Sequence, residues 1–76
     1  MLPKVTSLFD LFNKARTNKL YERLAIITAK NFGGDVVTFE DAKKYLSRVA
    51  KNDGDCSGVI KEVNFCRDII DSNLRA

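Results

Sequence analysis

Apolar residues recur at intervals of three and four positions along most of the chain, which is the spacing of one face of an α-helix. Four such stretches predict helices at residues 5–16, 19–31, 39–51 and 61–73. The second stretch is apolar on more than one face, which is typical of a helix at the centre of a bundle. The fourth has a wide apolar stripe, so we expect these side chains on its core side: Val63, Cys66, Ile70, Leu74, Phe65 and Ile69. The pattern predicts an all-α fold, a compact four-helix domain that takes up residues 1–76 as one unit.

Residues between these stretches carry signals for helix ends. Thr6 or Ser7 can cap the first helix, and Thr38 can cap the third. Asp41 follows Thr38 by three residues, as in a capping box. Gly33 and Gly34 follow the second helix and can adopt the left-handed conformation that closes a helix.

The composition is that of a globular protein. Apolar residues make up 45% of the chain and charged residues of both signs make up 30%, which favours folding over disorder. No run approaches the ~18 consecutive apolar residues of a membrane span. The first residues lack the charged start and apolar core of a secretory signal. We therefore expect a cytoplasmic protein with no membrane partner.

The chain has no histidine and two cysteines, Cys56 and Cys66. Without histidine it lacks the usual general base at neutral pH, and no nucleophile or phosphate-binding motif is present. Two cysteines fit reduced thiols better than a disulfide framework or a zinc site. We therefore predict that the protein is not an enzyme and acts by binding.

The segment DGDCSGVIKEVNF, residues 53–65, alternates acidic and other residues ahead of a glycine. Calcium takes six to eight oxygen ligands, and alternating side chains of one loop can converge on the ion around such a glycine. The oxygen atoms that could do so belong to Asp53, Asp55, Ser57, the carbonyl of Val59, and Asn64.

In these features residues 40–73 resemble a single EF-hand, a helix–loop–helix calcium site. The resemblance implies an EF-hand-like C-terminal half, with Asp53 at the first ligand position and Asn64 at the last. Asn64 departs from the family, which has a bidentate carboxylate there, and Lys61 puts a cation beside the ligands. The resemblance therefore implies weak or no calcium affinity, at best in the ~10⁻⁴–10⁻³ M range, and no other cofactor. Three alternatives remain: an ordinary turn between helices, a weak calcium loop, or a metal-free loop that binds a partner.

The first predicted helix carries Phe9, Leu11 and Phe12 on neighbouring faces. If the core leaves them uncovered, they form a surface for a partner or for self-association to a homo-oligomer. If the core covers them, they are structural. We predict a small regulatory or adaptor protein that recognises another protein, with this patch as its binding surface.

Charge suggests a second function. Residues 1–38 hold six basic and three acidic side chains, and residues 39–76 hold seven of each, so the net charge of +3 comes from the first half. On the third helix, Lys44, Arg48 and Lys51 are spaced by four and three and fall on one stripe. The alternative function is a small basic nucleic-acid-binding regulator, helix-turn-helix-like, whose stripe contacts phosphates. The turn that follows is acidic and longer than usual for that motif, and a solvated face also explains the stripe.

Overall fold

The structure is a computed structural model that describes residues 2–53 and 57–75 and, among these, every side chain except those of Asp53 and Arg75. Within these ranges the chain forms α1 (Leu8–Ala15), α2 (Lys19–Asn31), α3 (Phe39–Asp53) and α4 (Ser57–Arg75). The described residues include no β-strand. The predicted all-α, four-helix fold is confirmed.

Helix α2 lies at the centre and contacts each of the other three helices. Helix α4 packs on α2 and α3, and α1 packs on α2 and α3. One core joins all four helices, and its largest fully buried apolar side chains on the helices are Leu11, Leu24, Leu46, Val59 and Val63. Because each such side chain stabilises the fold by about 1.5–3 kcal/mol when removed from water, this core fixes how the helices pack.

The predicted caps of α1 and α3 are present. The Asp10 N–H donates to the hydroxyl of Ser7 at 3.0 Å, which makes Ser7 the cap of α1. At α3 the Asp41 N–H donates to the Thr38 hydroxyl, and the Thr38 N–H donates to the Asp41 carboxylate, both at 3.2 Å. This reciprocal pair satisfies two N–H groups that a helix start leaves without partners.

The turn between α2 and α3 depends on two glycines. Gly33 has φ of 90°, as predicted for a residue that closes a helix. A Cβ on Gly34 would lie 2.9 Å from two ring carbons of Tyr45. The Tyr45 hydroxyl donates to the Phe32 carbonyl at 2.7 Å, so the ring holds the end of α2 against α3.

Helix α1 begins at Leu8, three residues later than the predicted start at Val5. Residues 2–6, here called the N-terminal segment, are not helical. Leu2 and Val5 are nevertheless buried. The pattern counted Val5 as helical because it is apolar at the right spacing, whereas its burial comes from contact with α4.

Polar side chains of α4 hold the N-terminal segment in place. The Asn64 amide accepts from the Val5 N–H at 2.9 Å and donates to the Val5 carbonyl at 2.8 Å. Arg67 donates to the Leu2 carbonyl at 2.5 Å, and Asp71 accepts from the Leu2 N–H at 3.0 Å. Arg67 and Asp71 are both buried, so this side of α4 is committed to the N-terminal segment.

Candidate functional site

Most of the segment that suggested a calcium loop is helical. Helix α3 runs to Asp53 and α4 begins at Ser57, so the predicted start of the fourth helix near Lys61 is wrong by four residues. Within an α-helix the side chains radiate outwards and each carbonyl accepts from an N–H four residues on. From Ser57 onwards the chain therefore follows a helix, and nothing in the described residues identifies an EF-hand-like loop.

The structure describes the positions of three of the five candidate calcium ligands. Ser57 and Val59 lie in the first turn of α4, where Val59 is fully buried. The Asn64 side-chain amide accepts a hydrogen bond from the Val5 N–H and donates one to the Val5 carbonyl. Asp55 and the side chain of Asp53 lie outside the described residues, so calcium binding stays a prediction. Among the residues that the structure describes, no group of three or more acidic or cysteine side chains could hold a metal ion.

The three residues of the predicted partner patch have different surroundings. Leu11 is fully buried in the core, so its assignment to a binding surface is wrong. Phe12 is half-buried and meets the Phe39 ring edge to face, with ring centroids 6.0 Å apart. Phe9 is 76% exposed and lines, with Phe12, a depression of about 420 Å³ between α1 and α3. Only Phe9 and one side of Phe12 remain accessible to a partner.

The basic stripe of α3 is accessible along its length, because Lys44, Arg48 and Lys51 are all exposed. Asp35 and Asp41 share a depression with Lys44 and Arg48. Hydrogen bonds from the backbone N–H groups of Thr38 and Val37 lower the pKa of Asp41. The carboxylate is therefore charged at neutral pH and offsets part of the positive potential of the stripe.

The clearest disagreement with the apolar pattern lies on α4. Phe65 is 59% exposed and Ile69 is 49% exposed, although the pattern assigned both to the core side. They are four residues apart and so lie on one side of the helix. With Ile27 of α2, which is 41% exposed, and Ile70, they line a groove of about 160 Å³ between α2 and α4. We call these four residues the α2–α4 apolar face.

These residues stay outside because the other sides of α4 are already occupied. Val59 and Val63 fill the core side. Arg67 and Asp71 are turned to the N-terminal segment, which leaves Phe65 and its neighbours on the remaining side. The sequence did contain a signal for this exposure, because apolar residues spread widely around α4. One buried side of a helix cannot accommodate all of them, so some must be exposed.

Cys66 and Asn31 also line this groove, and Glu62 lies beside them. The Asn31 amide donates to Glu62 at 2.9 Å and to the Cys66 sulfur at 3.6 Å, and the Cys66 thiol lies 3.5 Å from Glu62. Burial raises the pKa of the Cys66 thiol, and its hydrogen bond to Glu62 raises the pKa further. The thiol is therefore protonated at neutral pH. The predicted reduced state holds for Cys66, which is free, and Cys56 lies outside the described residues.

Comparison of the chain with protein-family models, curated proteins and solved structures gave no match. None of the helices in the described part of the chain has the length and apolar content needed to cross a bilayer. The candidate site therefore rests on the geometry of the α2–α4 apolar face.

Proposed function

We propose that this protein is a small non-enzymatic regulatory or adaptor protein that recognises another protein through the α2–α4 apolar face. The observation that carries the proposal is the exposure of Phe65 and Ile69 on adjacent turns of α4, beside Ile27 of α2. Single exposed apolar side chains are common on soluble proteins, whereas contiguous ones at a groove mark interaction sites. The site suggested by Phe9 and Phe12 is less favoured because its third member, Leu11, is core.

The energetics favour such a contact. Full burial of a large apolar side chain is worth about 1.5–3 kcal/mol, and about half of that remains available from each of Ile27, Phe65 and Ile69. Covering the three would therefore contribute roughly 2–4 kcal/mol before the costs of association. Aromatic anchors that enter a groove commonly dominate binding energy, which makes Phe65 the residue of greatest expected effect.

The shape of the site favours a helical ligand. The groove lies between two helices that pack on each other and share the core, so little reorganisation is needed on binding. A groove between helices accepts an amphipathic helix whose apolar residues recur at three and four positions. We therefore propose that the partner presents one helix to α2 and α4.

The proposal is tested with a displayed library of amphipathic helices of about 18 residues, long enough for four to five turns. A peptide selected on the wild-type chain is titrated against Phe65→Ser and Phe9→Ser. Phe9 is 76% exposed on α1. It lines the depression between α1 and α3 and not the groove between α2 and α4.

We expect Phe65→Ser to weaken binding about tenfold, because it removes the largest of the three apolar contacts, and Phe9→Ser to leave the affinity unchanged. Amide chemical shifts of the wild-type chain should change around Ile27, Phe65 and Ile69 when the peptide is added. Equal affinity of the two variants, or a library without binders, would rule out the α2–α4 apolar face as a recognition site.

A second candidate function is nucleic-acid binding through Lys44, Arg48 and Lys51. Their exposure on one side of α3 supports it, and no ion pair among the described residues uses them. Phosphate contacts make affinity fall steeply with salt. A gel shift at low salt, repeated with Lys44→Glu/Arg48→Glu, tests it: we expect salt-sensitive retardation that this variant loses. No retardation at low salt would eliminate this function.

A further inference from the structure

The rim of the α2–α4 apolar face is basic on both helices. Arg23 and Lys30 lie one turn before and one turn after Ile27 on α2, and both are exposed. On α4, Lys61 lies one turn before Phe65 and is also exposed. These three side chains form no ion pair with other described residues. A ligand in the groove therefore meets free positive charge along both edges.

Two acidic residues lie near the groove. Glu62 accepts a hydrogen bond from Asn31 at 2.9 Å and one from the Cys66 thiol, and because both donors are neutral it keeps its negative charge. Asp68 pairs with Arg67, which offsets its charge. The three basic side chains of the rim therefore outweigh the charge of Glu62, in keeping with the excess of basic residues in the first half of the chain.

We infer that the partner of the α2–α4 apolar face is an acidic amphipathic helix of another protein. Its apolar residues would cover Phe65, Ile69 and Ile27. Its flanking carboxylates would meet Arg23 and Lys30 along one edge and Lys61 along the other. This inference rests on the proposed function and adds the chemistry of the partner.

Charge also argues against a second copy of the chain as the occupant. In a two-fold dimer the same surface patch meets itself. Such a dimer would bring two basic rims together, and like charges that face each other oppose association. An acidic helix has no such penalty, and its approach is accelerated by the attraction.

The test uses the displayed helix library with the flanking positions fully randomised and the apolar positions fixed. Selection is run in parallel on the wild-type chain, on Arg23→Glu/Lys30→Glu/Lys61→Glu, and on Lys44→Glu/Arg48→Glu/Lys51→Glu. The last variant changes the net charge by the same amount on α3, away from the groove. Selected peptides are then made, and their affinity is measured for all three proteins at low and high salt.

We expect aspartate and glutamate to be enriched at the flanks of peptides selected on the wild-type chain and on the α3 variant. The rim variant should enrich lysine and arginine instead. Because exposed ion pairs are individually weak, three reversed charges should lower the affinity of an acidic peptide by about tenfold, with less effect at high salt.

The possible outcomes distinguish a failure of the acidic-partner inference from a failure of the proposed recognition function. Binders that need Phe65 but show no bias in flanking charge would overturn the acidic partner and leave the recognition site in place. Binders that do not need Phe65, or the absence of binders, would overturn both. Sedimentation of the wild-type chain as a dimer that Phe65→Ser dissociates would make a second copy the occupant and would also overturn the acidic partner.

Discussion

Asn64 occupies a position where sequence and structure suggest different roles. In the segment of residues 53–65 it stands where a calcium loop has its last ligand. In the fold its side-chain amide forms hydrogen bonds with both the N–H and the C=O of Val5, as the backbone of a neighbouring strand would. The two residues are 59 positions apart, so no local pattern could have predicted the pair.

This pair leads to a prediction about stability. Asn64→Ala should lower the free energy of unfolding by about 1–3 kcal/mol, because the half-buried N–H and C=O of Val5 lose their partners. Urea denaturation measures the change. Asn73→Ala is the control, since Asn73 is exposed on the same helix and should change stability by less than about 0.5 kcal/mol. Equal stability of the two variants would show that Asn64 does not hold the N-terminal segment.

Asp41 gives a prediction about acid. Backbone hydrogen bonds from Thr38 and Val37 hold its pKa below the ordinary value. The carboxylate therefore stabilises the fold above its unfolded-state pKa of about 3.9, and this contribution is lost as the pH falls through the lower folded-state pKa. Asp41→Asn keeps an acceptor but does not titrate.

The urea midpoints of wild type and Asp41→Asn, measured at pH 6 and at pH 3, should therefore converge on acidification. The control is Asp35→Asn, because Asp35 is exposed and precedes α3 without capping it. A gap between wild type and Asp41→Asn that stays constant with pH would show that the charged cap does not contribute.

At the scale of elements, the turn from α2 to α3 is the most constrained connection. Gly34→Ala would place a Cβ 2.9 Å from the Tyr45 ring and 3.0 Å from the carbonyl oxygen of Ala29. Since a backbone oxygen cannot swing aside, we expect a loss of about 1–3 kcal/mol in the free energy of unfolding.

Thermal and urea denaturation measure this loss, and Gly58→Ala provides the contrast. Gly58 is exposed in the first turn of α4, where alanine favours the helix by up to about 1 kcal/mol. The two Gly→Ala changes should therefore have opposite signs. Destabilisation of the same size by both would contradict the account of the Gly34 contact.

Local signals predicted the helices and several of their ends. Ser7, the Thr38–Asp41 pair and Gly33 act within a few residues of themselves, so the sequence carries their effect directly. The beginnings of α1 and α4 were placed wrongly. Val5 fits the helical spacing but is buried by residues of α4 that are distant in sequence. Serine is common both in loops and at the start of a helix, so Ser57 did not mark where α4 begins.

The exposure of the α2–α4 apolar face required information that the sequence pattern does not contain. Phe65 and Ile69 are as apolar as the core residues beside them, so spacing alone cannot tell a buried side from an exposed one. The exposed side of α4 is determined by Arg67 and Asp71, which are buried against the N-terminal segment and so direct that side of the helix towards it. Charged residues are seldom buried, and this exception was not predictable from the pattern.

At the scale of the whole molecule, the fold is too small to cover every apolar side chain. A chain of 76 residues buries only about 60–65% of its unfolded surface. Here α4 uses one side for the core and one for the N-terminal segment, which leaves the third side to the α2–α4 apolar face. We therefore expect this face to contribute to recognition and little to stability.

The most direct test of that claim measures stability and binding on one protein, Phe65→Ser/Ile69→Ser. We predict a free energy of unfolding within about 1 kcal/mol of wild type, since both side chains are half exposed. Affinity for the selected amphipathic helix should fall at least about a hundredfold. Val63→Ser, which changes the fully buried side of the same helix, should instead lose several kcal/mol of stability. If the double variant unfolds as easily as Val63→Ser, or binds the helix as tightly as wild type, the α2–α4 apolar face is not a recognition surface.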